Sequence, residues 1–165
     1  SIGDSLLDYF SKEEIKKKLN SAFYYKDEKF AIIFVHDSDI KLYERLSVTI
    51  IPTDPKYTLY SIRGEIDFPD NIDNCKKKKD KVVKDIDKIF KKLKKEERDQ
   101  THGFDKTGNS FVHTTELVFK NKDEIRVFCL DWSEEITEEH GWKDTLNVSL
   151  TMWKLINWLN TEAYK

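Results

Sequence analysis

This chain of 165 residues has little cysteine, little arginine and no long apolar run. Its two cysteines have no neighbouring cysteine or histidine at metal-ligand spacing, which excludes a zinc-finger pattern. Only four arginines accompany 25 lysines, so few side chains are suited to bidentate recognition of phosphate or carboxylate. No stretch approaches the roughly 18 apolar residues of a membrane-spanning helix, and no signal peptide is present. The absences therefore predict a chain with no zinc finger and no membrane span.

The two cysteines, Cys75 and Cys129, leave two alternatives open. They form one disulfide in an oxidising compartment, or they remain two buried thiols in a reducing one. The residues alone do not decide between these alternatives.

Aromatic residues are plentiful, with ten Phe, seven Tyr and four Trp. Each buries a large apolar area, so we expect an aromatic-rich core. The length fits one domain, at roughly 100–200 residues per domain, and lets the chain bury enough surface to fold without a metal or a disulfide. We therefore predict a single domain over residues 1–165.

Charge is distributed unevenly along the chain. Residues 75–95 contain eleven Lys and three Asp, a net of +8, while the whole chain carries −2, so the other residues carry −10. The candidate anion-binding side chains are Lys76, Lys77, Lys78 and Lys79. The slightly acidic net charge argues against nucleic acid, because nucleic-acid-binding domains are usually basic. A solvated helix face is the alternative. Another is pairing of these lysines, within the chain or in a homo-oligomer, with the acidic segment Glu134, Glu135, Glu138 and Glu139.

The first half of the chain shows helix signals and then strand signals. Ser11 and Glu14 have the spacing of a capping box, which predicts a helix start. Continuous or alternating apolar residues predict three strands, at residues 30–35, 46–50 and 57–66.

A long helix and a second set of strands follow. Pro69 and Asp70 open the helix, whose apolar residues recur at helical spacing and which we expect to end before Gln100. Period-two alternation predicts three more strands, at residues 111–119, 125–132 and 146–150, and a short helix then closes the chain. The acidic segment 131–140 is predicted to be a solvated loop, because it lacks the alternating Asp/Asn spacing and central glycine of a calcium loop.

Three strands followed by a helix thus occur twice. We predict an α+β fold of order α-βββ-α-βββ-α: a mostly antiparallel sheet of about six strands, one long helix and two or three short ones. The repetition suggests two related halves, 1–98 and 103–165.

Gly3-Asp4-Ser5-Leu6 resembles the nucleophile block of the Gly-Asp-Ser-Leu esterases and lipases, and Asp99-Gln100-Thr101-His102 has the form of that family's Asp-x-x-His block. The resemblance implies a serine hydrolase with Ser5 as nucleophile, His102 as base and Asp99 as its orienting carboxylate. The chain departs from the family because only two residues precede Gly3 and no Gly-x-Asn-Asp block is present. The alternative is that Gly3 frees the backbone while Asp4 or Ser5 caps a helix.

Three tryptophans are candidate ligand-binding residues. Aromatic rings line many ligand pockets, which favours this role for Trp132, Trp142 and Trp153. Their strand and helix spacing is also typical of core positions, and that alternative stays open. No metal-binding motif is present, and we predict no metal and no cofactor.

Four segments taken together resemble an uncharacterised family of small exported bacterial proteins of unknown function. They are residues 1–11, Asp73-Asn74-Cys75, Asp131-Trp132-Ser133 and Asn157-Trp158-Leu159-Asn160. The resemblance implies export to the periplasm, with the signal peptide removed before Ser1, and a cytoplasmic location is the alternative. It favours a Cys75–Cys129 disulfide and makes nucleic acid a less suitable partner.

These observations favour a non-enzymatic small binding or interaction module, periplasmic or secreted. The alternatives are a serine hydrolase using Ser5, Asp99 and His102, and an anion- or nucleic-acid-binding protein using the lysine-rich helix. A homo-oligomer is compatible with the sequence.

Overall fold

The computed structural model describes residues 1–35, 42–69 and 71–163. Over these residues the chain forms an α+β fold with an antiparallel sheet of eight strands and four α-helices. The predicted α+β class with an antiparallel sheet is therefore confirmed. The predicted number of six strands is wrong, because two further strands are present.

The elements follow one another in a simple order. After a 3-10 turn at Leu6–Asp8, they are α1 (Lys12–Leu19), β1 (Phe23–Tyr24), β2 (Ala31–Val35), β3 (Arg45–Ile50), β4 (Ser61–Asp67), α2 (Ile72–Ile89), β5 (Lys94–Thr101), β6 (Phe111–Val118), β7 (Glu124–Asp131), α3 (Glu134–His140), β8 (Thr145–Thr151) and α4 (Trp153–Thr161). The strand order in the sheet is β1-β2-β3-β4-β8-β7-β6-β5. None of the helices in the described residues combines the length and apolarity needed to cross a membrane.

The chain divides into two compact units. Unit 1 comprises Ser1–Gly64, Asn121–Glu124 and Ser149–Lys165, and unit 2 comprises Glu65–Lys120 and Ile125–Val148. Both units draw on segments far apart in the sequence, so their bounds differ from the halves suggested by the repeated pattern.

In unit 1, local signals set the N-terminal structure. The capping box of α1 is confirmed: Ser11 Oγ accepts from the Glu14 N–H, and the Glu14 carboxylate accepts from the Ser11 N–H at 2.8 Å. Gly3 has a left-handed φ of 87°, and Ser5 caps the 3-10 turn by accepting from the Leu7 N–H at 3.1 Å. Gly3 and Ser5 thus have the backbone roles that the alternative to the hydrolase assigns to them.

Two apolar clusters form the core of unit 1. One contains eight buried residues of the N-terminal turn, the helix α1 and the strands β2 and β3, together with the turn before β4: Leu6, Ile15, Ile33, Val35, Val48, Ile50, Tyr57 and Leu59. The other joins Phe30 and Tyr60 to residues of α4, with Phe30 at 4.9 Å from the Trp158 ring. The aromatic side chains Tyr57, Phe30, Tyr60 and Trp158 in these clusters agree with the aromatic-rich core expected from the composition.

In unit 2, α2 is held at its first turn. Asn71 Oδ1 accepts from the Asn74 N–H at 3.2 Å and caps the helix. Cys75 in this turn forms a disulfide with Cys129 of β7, with sulfur atoms 2.03 Å apart. Both cysteines are fully buried. Asp70, which the sequence places at the helix start, lies outside the described residues.

The end of the long helix differs from the prediction. Instead of continuing towards Gln100, α2 ends at Ile89, Lys92 adopts a left-handed φ of 70°, and the following residues form β5. All eight residues of β5 are exposed, so the strand has no apolar alternation to reveal it. It is a strand because its backbone pairs with β6 along its whole length.

Two smaller predictions also need correction, and one short strand was not predicted. The acidic segment 131–140 contains the helix α3, where the sequence predicted a loop. The strand predicted from Tyr57 begins at Ser61, and Tyr57 itself has a left-handed φ of 46°, which is not a strand conformation. The strand β1 has only two residues, too few to show a period.

Candidate functional site

A buried carboxylate organises the loop between β5 and β6. Asp105 is only 5% exposed. Its Oδ1 accepts from Thr107 N–H at 2.8 Å and Thr107 Oγ–H at 2.6 Å, and its Oδ2 accepts from Ser110 Oγ at 2.6 Å and Ser133 Oγ at 3.1 Å. The hydrogen bonds from Ser110 and Thr107 hold the pKa of Asp105 well below its ordinary value. The loop is therefore fastened to Ser133, the residue immediately before α3.

The helix α3 brings two tryptophans into reach of this loop. Ser133 caps its N-terminus, accepting from the Ile136 N–H at 3.4 Å. Gly141 ends it with a left-handed φ of 68°, a conformation that glycine adopts without a Cβ penalty. Trp132 immediately precedes this helix and donates its backbone N–H to Asp144 at 2.9 Å, while Trp142 immediately follows it.

Five aromatic rings of unit 2 meet in one cluster. The ring cluster consists of His102, Phe104, Trp132, His140 and Trp142. Its centroid distances are 4.5 Å for His102–Trp132, 4.8 Å for Trp132–Trp142, 4.9 Å for His140–Trp142 and 4.7 Å for Phe104–Trp142. The interplanar angles are mostly tilted or edge-to-face, which suits the ring quadrupoles. Phe104 is 48% exposed and Trp142 is 37% exposed, so the cluster has a solvent-facing side.

The two histidines of the ring cluster, His102 and His140, have different electrostatic surroundings. Burial lowers the pKa of His102, against the opposing effect of the Asp105 charge. Its Nδ1 accepts from the Phe104 N–H at 3.2 Å, which requires an unprotonated Nδ1. Glu139 Oε1 lies 3.7 Å from His140 Nε2. The exposed carboxylates of α3 are Glu134, Glu135, Glu138 and Glu139.

The three residues of the predicted hydrolase triad have other partners. Asp99 Oδ1 lies 2.9 Å from Nδ1 of His113, its cross-strand neighbour in β6, whereas His102 belongs to the ring cluster. Ser5 Oγ donates to the Lys56 carbonyl at 2.5 Å. Ser5 lies in unit 1, and Asp99 and His102 lie in unit 2. The hydrolase stays a prediction, and none of these contacts supports it.

Of the three candidate ligand-binding tryptophans, two are in contact. Trp132 and Trp142 form the centre of the ring cluster. Trp153 lies in unit 1, where its backbone N–H donates to Asp123 Oδ1 at 2.8 Å and Lys122 Nζ lies 4.9 Å from its ring centroid.

The four candidate anion-binding lysines differ in exposure. Lys77 and Lys78 are exposed, whereas Lys76 and Lys79 are partly buried. Lys79 Nζ donates to Thr115 Oγ1 at 3.3 Å and lies 3.9 Å from Asp80 Oδ1. Lys79 is thus partly buried within unit 2, with its ammonium near polar partners.

Sequence reasoning missed two members of the ring cluster, Phe104 and His140, and assigned a third, His102, to a different role. A signal was present: the tripeptides His102-Gly103-Phe104 and His140-Gly141-Trp142 repeat the pattern His-Gly-aromatic. Together they supply four of the five rings. In the described residues no group of His, Cys, Asp and Glu side chains has the geometry of a metal site.

Comparison of this chain with protein-family models, with curated proteins and with solved structures finds no match.

Proposed function

We propose that the protein is a non-enzymatic binding module and that its ligand contacts the ring cluster. The observation that carries this proposal is the exposure of Phe104 and Trp142 within a cluster that is otherwise fixed in place. Large aromatic side chains release considerable free energy when they leave water, and exposed groups of them mark binding surfaces.

The anchoring of the cluster favours binding. Asp105 ties the loop that carries Phe104 to the helix that carries His140 and precedes Trp142. Because these rings are held before a ligand arrives, little conformational entropy is lost on binding. A surface that is arranged in advance suits recognition without any chemical step.

We further propose that the protein works in an oxidising compartment, the periplasm or the exterior of the cell. The support is the Cys75–Cys129 disulfide, since such bonds persist in oxidising compartments and are rare in reducing ones. Intact mass with and without thiol alkylation, on protein exported by its natural precursor, tests this proposal. Two free thiols in that protein would contradict it.

Binding at the ring cluster is tested by a fragment screen with matched variants. Neutral, cationic and anionic fragments are screened by saturation-transfer NMR against the unmodified chain, Phe104→Leu and Phe111→Leu. Phe111 is the control because it is 39% exposed in the same unit and stacks on His113, outside the cluster. We expect fragments whose binding weakens in Phe104→Leu and not in Phe111→Leu. Equal loss in both variants, or turnover of a screened compound, would overturn the proposal.

A further inference from the structure

The charge around the ring cluster identifies a class of ligand. Residues 131–144 contain six Asp and Glu and one Lys, a net of −5 with His140 neutral. The four exposed glutamates of α3 lie in the helix that connects Trp132 to Trp142. The exposed ring of Trp142 thus directly follows a helix with four exposed carboxylates, one of which, Glu139, lies 3.7 Å from His140 of the cluster.

Aromatic ring faces attract cations, because the ring quadrupole places negative charge on its faces. Unit 1 already contains this contact, with Lys122 Nζ 4.9 Å from the Trp153 ring and Lys154 Nζ 5.1 Å from the Tyr60 ring. In the ring cluster, the lowered pKa of His102 leaves that ring uncharged at neutral pH, so it does not repel a cation.

Two lysines that are near the cluster in sequence contact oxygen atoms. Lys106 Nζ donates to the Gly103 carbonyl at 2.9 Å, and Lys143 Nζ lies 3.6 Å from Asp67 Oδ2. Neither contact places an ammonium over a ring of the cluster. An anionic ligand would meet the carboxylates of α3 unfavourably, whereas a cationic ligand gains from both the rings and the carboxylates.

We propose that the ring cluster and the four exposed glutamates of α3 bind a basic peptide segment of a partner protein. This inference rests on the proposed function of the ring cluster. One arginine or lysine side chain lies over the exposed rings, and neighbouring cationic side chains face the glutamates. The helix α3 has seven residues and spans about 10 Å, the length of roughly three extended peptide residues. A peptide matches that length, and a single small cation does not.

The test uses a blocked tetra-arginine peptide and, as an uncharged control of the same shape, a blocked tetra-citrulline peptide. Calorimetric titration of the full chain at low salt is expected to show that tetra-arginine binds at least about tenfold more tightly. Phe104→Leu and Trp142→Leu are each expected to weaken its binding by about tenfold, the size of a partly desolvated cation–π contact. Phe111→Leu leaves the affinity unchanged.

The glutamates are tested by removing charge without changing shape. The double variant Glu135→Gln/Glu138→Gln is expected to weaken tetra-arginine binding and to reduce its dependence on salt. The matched variant Glu13→Gln/Glu28→Gln removes two exposed charges from unit 1 and leaves the binding unchanged.

The outcomes separate this inference from the proposed function. If tetra-citrulline binds as tightly as tetra-arginine, or if only neutral or anionic fragments depend on Phe104, the cationic ligand is wrong and the binding surface stands. If neither peptides nor fragments depend on Phe104 and Trp142, both proposals are wrong.

If the glutamate variant weakens tetra-arginine binding and the ring variants do not, the peptide binds by surface charge alone and the inference is overturned. If the chain self-associates and Lys77→Glu/Lys78→Glu on α2 abolishes that association, the occupant is a second copy and the partner peptide is wrong.

Discussion

At the scale of single residues, Asp105 has the clearest physical explanation. A buried carboxylate is costly unless hydrogen bonds replace its hydration, and here hydroxyl and amide donors from Thr107, Ser110 and Ser133 do so. The ionised carboxylate of Asp105 therefore holds the loop through these hydrogen bonds. Sequence alone could not predict this role, because Asp105 and Ser133 are 28 positions apart and no local pattern relates them.

This role predicts a pH dependence of stability. The pKa of Asp105 is lower in the folded chain than the ordinary value of about 3.9 in the unfolded chain, so the folded state holds its proton less tightly. Its stabilising contribution is complete above about pH 4 and is lost as the pH falls below that value. We expect Asp105→Asn to unfold at a lower temperature than the unmodified chain at pH 7, and we expect that difference to shrink as the pH falls from about 4 towards 2.

Thermal unfolding followed by circular dichroism from pH 2 to pH 7 measures this difference. Other carboxylates with lowered pKa, such as Asp54 and Glu14, contribute equally to both proteins and cancel in the comparison. A difference in unfolding temperature that stays constant over the whole range would contradict a role for the Asp105 charge.

The two His-Gly-aromatic tripeptides are a second feature at the residue scale. The first directly follows β5, and the second begins at the last residue of α3. The repetition is visible in the sequence, but the contact between Phe104 and Trp142 depends on where α3 lies in unit 2. The candidate site could therefore be suspected from residues and located only from the fold.

At the scale of elements, β5 is a strand that the residue pattern does not predict. Its residues alternate neither in polarity nor in burial, since all eight are exposed. The strand lies at one end of the strand order and carries the ion pair Lys95–Glu97, with a nitrogen–oxygen distance of 2.7 Å. Charged side chains on an end strand oppose pairing with a second sheet.

We therefore expect Lys95→Val/Glu97→Val to promote self-association without changing the net charge. The matched control is Lys88→Val/Asp85→Val, which removes an ion pair of the same 2.7 Å distance from α2. Sedimentation velocity over a range of concentrations distinguishes them: the β5 variant is expected to form larger species and the α2 variant to match the unmodified chain. If both variants stay at the mass of the unmodified chain, the charges of β5 do not have this protective role.

The helix α3 was missed for a different reason. Its four glutamates favour a solvated segment on composition, whereas Ser133 before them and Gly141 after them are cap residues. The caps were the better signal, and they also explain why Trp132 and Trp142 flank a helix of two turns.

At the scale of the whole molecule, the disulfide is the strongest single constraint on unit 2. It links the first turn of α2 to β7 across 54 positions of sequence. A chain-entropy estimate for a loop of this length gives about 4 kcal/mol of stabilisation, through the smaller entropy of the unfolded chain. The buried residues of unit 2 include Val83, Leu117 and Val127.

Removal of the disulfide is expected to destabilise the chain without preventing folding. Cys75→Ala/Cys129→Ala should lose about 4 kcal/mol of unfolding free energy, because the loop constraint on the unfolded chain is gone. Urea unfolding measures the loss. Reduction of the unmodified chain supplies the control, since it breaks the constraint without leaving the cavity that two alanines create. An unchanged midpoint in both experiments would contradict this account.

The sequence by itself determined the α+β class, the antiparallel sheet and the capping box of α1, because each depends on residues close together in the chain. Tertiary structure decided the pairing of β5, the anchoring of Asp105 and the meeting of the rings of His102, Phe104, Trp132, His140 and Trp142. The anchoring of Asp105 and the ring cluster join segments about thirty residues apart, and β5 has no apolar pattern of its own. All three features follow from backbone pairing and burial, which local propensity does not encode.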